Sequence, residues 1–258
     1  MTGLLNGKVV AITGGVTGIG RAIAIEMARN GAKVVVNHLP SEEQAQLAKE
    51  LKEEILDGEN NVLTIPGDIS LPETGRRIVE LAVEKFGEIN VFVSNAGVCG
   101  FREFLEITPE TLFQTVNINL NGAFFAIQAA AQQMVKQGKG GSIIGISSIS
   151  ALVGGAHQTH YTPTKAGILS LMQSTACALG KYGIRCNAIL PGTISTALNE
   201  EDLKDPEKRK YMEGRIPLGR VGDPKDIAGP AIFLASDMSN YVNGAQLLVD
   251  GGLFVNLQ

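Results

Sequence analysis

The sequence predicts a parallel α/β sheet doubly wound with helices on both faces, and two observations carry that reading. Seven short Val- and Ile-rich runs alternate with longer stretches of helical period, and the runs are apolar almost throughout instead of alternating with polar residues. Continuously apolar strands belong to a parallel sheet covered on both faces, because a sheet with one wet side needs a polar residue at every second position. Strand and helix in alternation, with short connections, then imply right-handed crossovers within one open sheet.

The first run, KVVAIT (8–13), leads through TGGVTGIG (Thr13 to Gly20) into a helix that carries Ile19, Ile23 and Met27 on one face. That helix stops at Asn30-Gly31. The second run, KVVVN (33–37), is followed by HLP and by SEEQAQLAKELKEEIL, whose helix starts on a Ser41 cap. NVLTI (61–65) ends in GDIS, NVFVS (90–94) ends in SNAG, and GSIIGI (141–146) ends in SSIS ahead of the helical stretch YTPTKAGILSLMQSTACALG. IRCNAIL (184–190) runs into PGTIST, and AQLLVD (245–250) completes the series. One connection is long: Thr193 to Pro224, charged and punctuated by Pro and Gly, reads as a lid or substrate loop. Nothing else divides the chain, so residues 1–258 are expected to form a single domain with that insertion at about 193–224.

Composition excludes several classes of function. A net charge of -4, with no long basic run, argues against nucleic acid as a partner. The N-terminal MTGLLNGKVVAITGG lacks a basic region followed by an apolar core, and no apolar run reaches the ~18 residues of a membrane span. Cys99, Cys177 and Cys186 form neither a disulfide framework nor a C-x-x-C pair, which suits a reducing compartment. A soluble cytoplasmic protein without a membrane partner is therefore expected. His157 and His160 flank Tyr161, but no further Cys, His or acidic residues cluster with them, so no metal site is expected.

The motifs point to a nucleotide and to proton transfer. In TGGVTGIG, Gly14, Gly18 and Gly20 permit a tight turn and close approach of backbone to a pyrophosphate at a helix N-terminus. The strand before it, the helix after it and the second strand beyond supply the context such a loop requires. Asp68 in GDIS, suited to an adenine amino group, and Asn95, Ala96 and Gly97 in SNAG follow strands at the ends where ligands of open α/β sheets bind. Tyr161 and Lys165 are four residues apart and share one helix face, so the ammonium favours the phenolate.

The order and spacing of TGGVTGIG, GDI, SNAG, INLNG, SS ahead of YTPTK, PGTIST and VDGG resemble the short-chain dehydrogenase/reductase family over essentially the whole chain. The resemblance implies a single Rossmann-type domain that binds NAD or NADP. It also implies a catalytic set of Asn119, Ser148, Tyr161 and Lys165, with Ser148 thirteen residues before Tyr161. Ser147 is the adjacent alternative, and Asn117 lies off the asparagine's register. Ser94 departs from the first Asn of the NNAG loop that many members carry, without touching a catalytic position.

By the same resemblance the cofactor is held by Gly14, Thr17, Gly18, Ile19 and Gly20, by Asn37 and His38 after the second strand, and by Asp68 and Ile69 after the third. Asn95, Ala96 and Gly97 follow the fourth, Tyr161 and Lys165 contribute from the catalytic set, and Pro191, Gly192, Ile194 and Thr196 belong to PGTIST. Cofactor choice rests on the second strand's end, where a carboxylate favours NAD and a cationic pair favours NADP. Here Asn37, His38 and Leu39 offer neither, Val16 and Thr17 replace the basic residue of many NADP-preferring members, and Arg21 packs or pairs on its helix. NAD with tolerance of NADP is the expectation. His38 is open as a surface residue or an adenine contact.

Within the family the chain is most similar to fungal sugar 1-dehydrogenases, which implies oxidation of the anomeric hydroxyl of an aldose, with L-rhamnose the expected sugar. Ser148, Ser150, Gln158, Tyr161, Thr193 and Asn199 are the expected substrate residues, and a homotetramer is the expected assembly. Two alternatives stand beside this reading. A 3-oxoacyl-carrier-protein reductase, or another carbonyl reductase, uses the same catalytic set but wants a basic docking surface, where this chain offers dispersed lysines. A non-catalytic nicotinamide-binding module is disfavoured by the intact set.

Overall fold

The computed structural model describes residues 3–197, 199 and 203–256. All seven expected runs are strands: β1 (Val9–Ile12), β2 (Lys33–His38), β3 (Val62–Pro66), β4 (Val91–Ser94), β5 (Gly141–Ile146), β6 (Ile184–Pro191) and β7 (Gln246–Val249). They form one parallel sheet in the order β3-β2-β1-β4-β5-β6-β7. The winding reverses between β1 and β4, which are paired through Val10↔Val91, Ala11↔Phe92 and Ile12↔Val93. A reversal of strand order opens a crevice at the carboxyl ends of the two strands, the place where open α/β sheets bind ligands.

Burial explains why the strands carry no alternation. Val10 and Ile12 pack in one core with Ile23 and Met27 of α1 (Gly18–Arg29) and Leu51 of α2 (Glu42–Glu54). Their neighbours Val9 and Ala11 pack in a second core on the opposite face. That second core holds Ile78 of α4 (Pro72–Phe86), Met134 of α6 (Ala123–Gln137) and Met172 of α7 (Thr162–Leu179). Successive strand residues point to opposite faces, and both faces here are dry. A short helix, α3 (Gly58–Asn61), lies ahead of β3.

The helix ends follow the expected chemistry. Ser41 Oγ accepts from the Gln44 N–H at 3.2 Å at the start of α2, and Gly31 adopts φ +90° just past the end of α1. Helix α5 (Pro109–Val116) passes into α6 through a π-helical turn, Asn117–Gly122, without leaving helical backbone angles at its ends. Such widened turns recur at functional sites.

The long connection leaves and returns at one point. Gly222 N–H donates to Thr193 O at 2.9 Å and Ser195 N–H to Gly222 O at 2.8 Å, so the segment is closed at its stem. It carries α8 (Pro206–Arg215), and α9 (Pro224–Ala235) follows it. Within this segment, Leu198 and residues 200–202 lie outside the described residues.

Candidate active site

At the end of β1 the chain turns through Gly14 at φ +60° and Gly18 at φ +51°, backbone that side-chain-bearing residues rarely adopt. A Cβ on Gly20 would lie 2.4 Å from Gly14 O and 2.5 Å from Asn95 Nδ2, so the third glycine is required by packing. Thr17 stands at the N-cap of α1 and its hydroxyl does not cap the helix. The first-turn N–H groups are therefore left to a ligand at the positive end of the helix, which suits a pyrophosphate.

The loop is fastened to the next strand end by Asn95 and Thr13. Asn95 Nδ2 donates to Thr13 O at 3.0 Å and to Gly14 O at 2.9 Å, and Thr13 Oγ1 accepts from the N–H groups of Asn95 and Ala96, each at 3.0 Å. The Asn95 side chain thus shapes the glycine loop, and what SNAG offers a ligand is its backbone. Asn37 behaves likewise: buried, it donates to Gly67 O at 3.0 Å and to Ile65 O and His38 O, each at 3.3 Å, tying β2 to β3. Asp68 Oδ1 accepts from Ser70 N–H at 2.9 Å in an Asx turn. Ile69 beside it is buried.

His38 is buried, its Nδ1 2.8 Å from Leu39 O, which rules out the surface position left open for it. Leu39 is the exposed residue at this strand end. Arg21 pairs with Glu54 at 2.7 Å, across to α2 and not within its own helix. On the far side of the crevice Pro191 ends β6, Gly192 N–H donates to Val249 O at 3.1 Å, and Ile194 is buried. A Cβ on Gly18 would lie 3.4 Å from Thr196 Cγ2, so PGTIST reaches over the glycine loop.

Tyr161 is the N-cap residue of α7, and Lys165 follows one turn on. Lys165 is buried, its Nζ donates to Ile146 O at 3.0 Å, and it lies 5.6 Å from the Tyr161 ring centroid. Ser147 Oγ donates to Lys165 O at 2.7 Å, so this serine anchors α7. Ser148, its hydroxyl also accepting from Ser150 N–H at 3.0 Å, is the one that hydrogen-bonds Tyr161. Of the two serines, Ser148 is therefore the one left facing Tyr161.

Asn119 sits in the π-turn and is buried; its Oδ1 accepts from Val98 N–H at 2.8 Å, and its Nδ2 donates to Val98 O at 2.9 Å and Thr164 Oγ1 at 3.2 Å. Asn117 instead pairs on the surface with Asn121. A Cβ on Gly97 would stand 3.3 Å from Asn119 Oδ1 and 3.4 Å from Lys165 Nζ, so SNAG, the π-turn and α7 meet at that point.

Burial dominates the electrostatics. It pushes the Tyr161 phenol up, proximity of Cys99 adds to that, and the Ser148 hydrogen bond opposes it. Burial also pulls Lys165 down to about 8 from 10.5. Burial of the phenol thus opposes the phenolate that the neighbouring ammonium is expected to favour, which leaves a part for a second positive charge such as that of an oxidised nicotinamide.

Of the expected substrate residues, Ser150 and Gln158 lie on the loops flanking Tyr161, and Gln158 O accepts from the N–H groups of Tyr161 and Thr162, each at 2.9 Å. Asn199 turns back on its own loop, its Oδ1 accepting from Thr196 N–H at 3.0 Å and its Nδ2 donating to Ile194 O at 2.8 Å. Each end of that amide has capacity for one further hydrogen bond. His157 lies 3.2 Å from Glu103 on the surface, whereas His160 is buried. Among the described residues no group of His, Cys, Asp and Glu is arranged to hold a metal ion. Cys99 was missed by the sequence reading: its Sγ accepts from Gln158 Nε2 at 3.2 Å, and it is close enough to Tyr161 and Lys165 to affect both. Its place two residues beyond SNAG, at the ligand-binding end of β4, was the available signal.

Comparison with known proteins agrees with this geometry. A family model described as enoyl-(acyl carrier protein) reductase matches residues 14–254. An L-rhamnose 1-dehydrogenase (NAD(P)(+)) of Azotobacter vinelandii is 58% identical over 99% of this chain and 100% of its own. An L-rhamnose 1-dehydrogenase (NADP(+)) of Thermoplasma acidophilum is 42% identical over 98% of both chains. Among solved structures, a gluconate 5-dehydrogenase of Burkholderia cenocepacia in complex with NADP and tartrate superposes with a TM-score of 0.89 at 31% identity, covering 97% of this chain and 96% of that one.

Proposed function

The chain belongs to the short-chain dehydrogenase/reductase family, and from that premise we infer an NAD(P)-dependent oxidoreductase that oxidises the anomeric hydroxyl of L-rhamnose to the lactone. The observation that carries the reaction type is the meeting of Ser148, Tyr161, Lys165 and Asn119 beyond the carboxyl ends of β4 and β5. The sugar rests on full-length identity of 58% to a relative of that name.

The residues present fit a dinucleotide. A glycine-lined turn at an uncapped helix N-terminus suits the pyrophosphate, and the SNAG and PGTIST backbones would hold the nicotinamide end. A bound dinucleotide would supply the acceptor for the hydride of the anomeric carbon. Tyr161 takes the proton of the anomeric hydroxyl as general base, and Ser148 donates a hydrogen bond to the same oxygen. Lys165, in its charged form, stabilises the phenolate, and its ammonium would hold the ribose of a bound dinucleotide. Asn119 holds the π-turn against Val98 and Thr164, keeping a route by which the proton leaves through Lys165 to solvent. Ser150, Gln158 and Thr193 supply sugar contacts, with the remaining capacity of Asn199 as a fourth. Residues 1–258 act as one domain, with 193–224 as the lid.

A homo-oligomer, tetrameric by family resemblance, is part of this reading. Exposed Phe104, Leu105, Phe113 and Phe124, on or near α5 and α6, support it. No helix among the described residues is long and apolar enough to cross a membrane. Three unpaired cysteines support a reducing, cytoplasmic setting.

The test is a panel of aldoses, secondary alcohols and acyl thioesters assayed with NAD and with NADP, the product identified by mass and infrared carbonyl frequency. Oxidation of L-rhamnose to a lactone with both cofactors is expected. Reduction of acyl thioesters without sugar oxidation would establish the carrier-protein reductase alternative instead. The strand end after β2 adds a prediction on cofactor choice. Because Leu39 is 55% exposed and no carboxylate stands at the end of β2, Leu39→Arg should raise the NADP-to-NAD ratio of kcat/KM by about five- to tenfold through a phosphate contact. An unchanged ratio would place the side chain out of reach of the ribose.

A further inference from the structure

Cys99 is a reactive group at the site to which the reaction assigns no task. It is half-buried, and burial, its main influence, pushes the thiol up, so that it stays neutral at ordinary pH. Its sulfur accepts from Gln158 Nε2 at 3.2 Å, a contact between segments 59 residues apart in sequence. On the other side of the same amide stands Gly155, where a Cβ would lie 2.8 Å from Gln158 Oε1 and 3.2 Å from Gln158 Cβ. The amide is therefore held between a sulfur that takes one of its N–H groups and a glycine whose bareness leaves room for its carbonyl. The main chain of Gln158 is held as firmly: its N–H donates to Gly155 O at 3.0 Å, and its carbonyl caps the first turn leading into Tyr161 and Thr162. A Gln side chain with this many constraints presents one defined set of groups, its carbonyl and its second N–H, to anything bound beside Tyr161.

We propose that Cys99 is a positioning residue for the sugar, holding the Gln158 amide in the orientation that reads a ring hydroxyl next to the reacting carbon. The inference rests on the reading of Gln158 as a sugar contact. A side chain fixed before the substrate arrives loses little freedom on binding, so the gain is in affinity for the sugar and not in the proton transfer. Sulfur suits the role because it is a weak acceptor: it orients the amide without competing strongly with a hydroxyl for it. A carboxylate in its place would add negative charge beside Tyr161, and the phenolate would be harder to form.

The experiment compares steady-state kinetics of wild type, Cys99→Ala, Cys99→Ser and Gln158→Ala with L-rhamnose and NAD, together with NAD affinity and Tm of each. Cys99→Ala is expected to raise KM for the sugar about three- to tenfold, the loss that accompanies one neutral hydrogen bond, with kcat and NAD affinity within a factor of two. Cys99→Ser, which keeps an acceptor on the same carbon, should recover most of that loss. Gln158→Ala should raise KM at least as much, and adding Cys99→Ala to it should change little more, since the two act through one contact. If Gln158→Ala raises KM and Cys99→Ala does not, Cys99 has no positioning role while Gln158 remains a sugar contact. If Ser fails to rescue, or kcat falls instead of KM rising, the cysteine matters through packing and the proposal is wrong. If Gln158→Ala leaves KM unmoved, or the wild type does not oxidise L-rhamnose, the underlying reading fails and the inference falls with it. Should Cys99→Ala lose Tm and NAD affinity together, Cys99→Ser is read in its place: a KM for the sugar near that of the wild type supports the proposal, and a KM raised as far as by Gln158→Ala with Tm retained overturns it.

Discussion

Replacing Tyr161 by Phe should lower kcat about 10²- to 10⁴-fold, the range general acid–base catalysis supplies, while dinucleotide affinity stays nearly unchanged. The ring still packs at the head of α7, and the only lost group is the hydroxyl that Ser148 hydrogen-bonds. Neither Lys165 nor Cys99 can substitute for it. Lys165 is an ammonium or a neutral amine held on Ile146 O, and Cys99 is a thiol pushed up by burial. Stopped-flow measurement of hydride transfer, with dinucleotide titration by fluorescence, separates the two quantities. Wild-type transfer rates from Tyr161→Phe would remove the phenol from the mechanism.

Lys165→Met should lose both turnover and cofactor affinity, and it should also change how stability depends on pH. Methionine has similar length and no charge, so the cavity is small and the electrostatic consequence is isolated. Turnover should fall by about 10²-fold or more, because the phenolate loses its stabilising charge; dinucleotide binding should weaken because a ribose contact is gone. Turnover preserved at saturating cofactor would show that Lys165 only binds.

The stability effect follows from the sign of the shift. Burial holds Lys165 at about 8 in the folded, cofactor-free chain against 10.5 when unfolded. Between those values the unfolded chain binds more protons than the folded one, so the Lys165 contribution makes stability rise with pH. From pH 8 to pH 10 the wild type should gain about 2 kcal/mol relative to Lys165→Met. Cys186, pushed up from 9.0 by burial, acts with the opposite sign above that value, but in both proteins, and so cancels in the difference, whereas Cys99, which feels the Lys165 charge, cancels only in part. Urea unfolding of both proteins at the two pH values is the measurement. Parallel curves would mean that the ammonium is not desolvated in the folded state.

What the sequence by itself determined was whatever depends on neighbours along the chain. Seven strands and their parallel arrangement were legible because a strand buried on both faces must be apolar at every position, and Val9 through Ile12 or Val34 through Val36 are. The cap at Ser41, the glycine turn before α1 and the shared face of Tyr161 and Lys165 are equally local: they follow from backbone periods of a few residues. The resemblance carried the expected catalytic set, through the spacings of its motifs along the chain.

What only the tertiary structure decided depends on approach between distant segments. Spacing favoured Ser148 over Ser147, and the fold supplied the cause: Ser147 is drawn to the backbone of Lys165 and Ser148 is left beside Tyr161. No local pattern shows that Asn95 and Asn37 spend their amides on the scaffold, or that Asn119 widens a helix to reach Val98 and Thr164. Cys99 entered the site only when β4 and the loop before α7 came together. The proton affinities were the least legible feature of all. A side chain's charge is written in its type, but the desolvation that raises Tyr161 and lowers Lys165 comes from every atom packed around them, and those atoms belong to segments scattered across the chain.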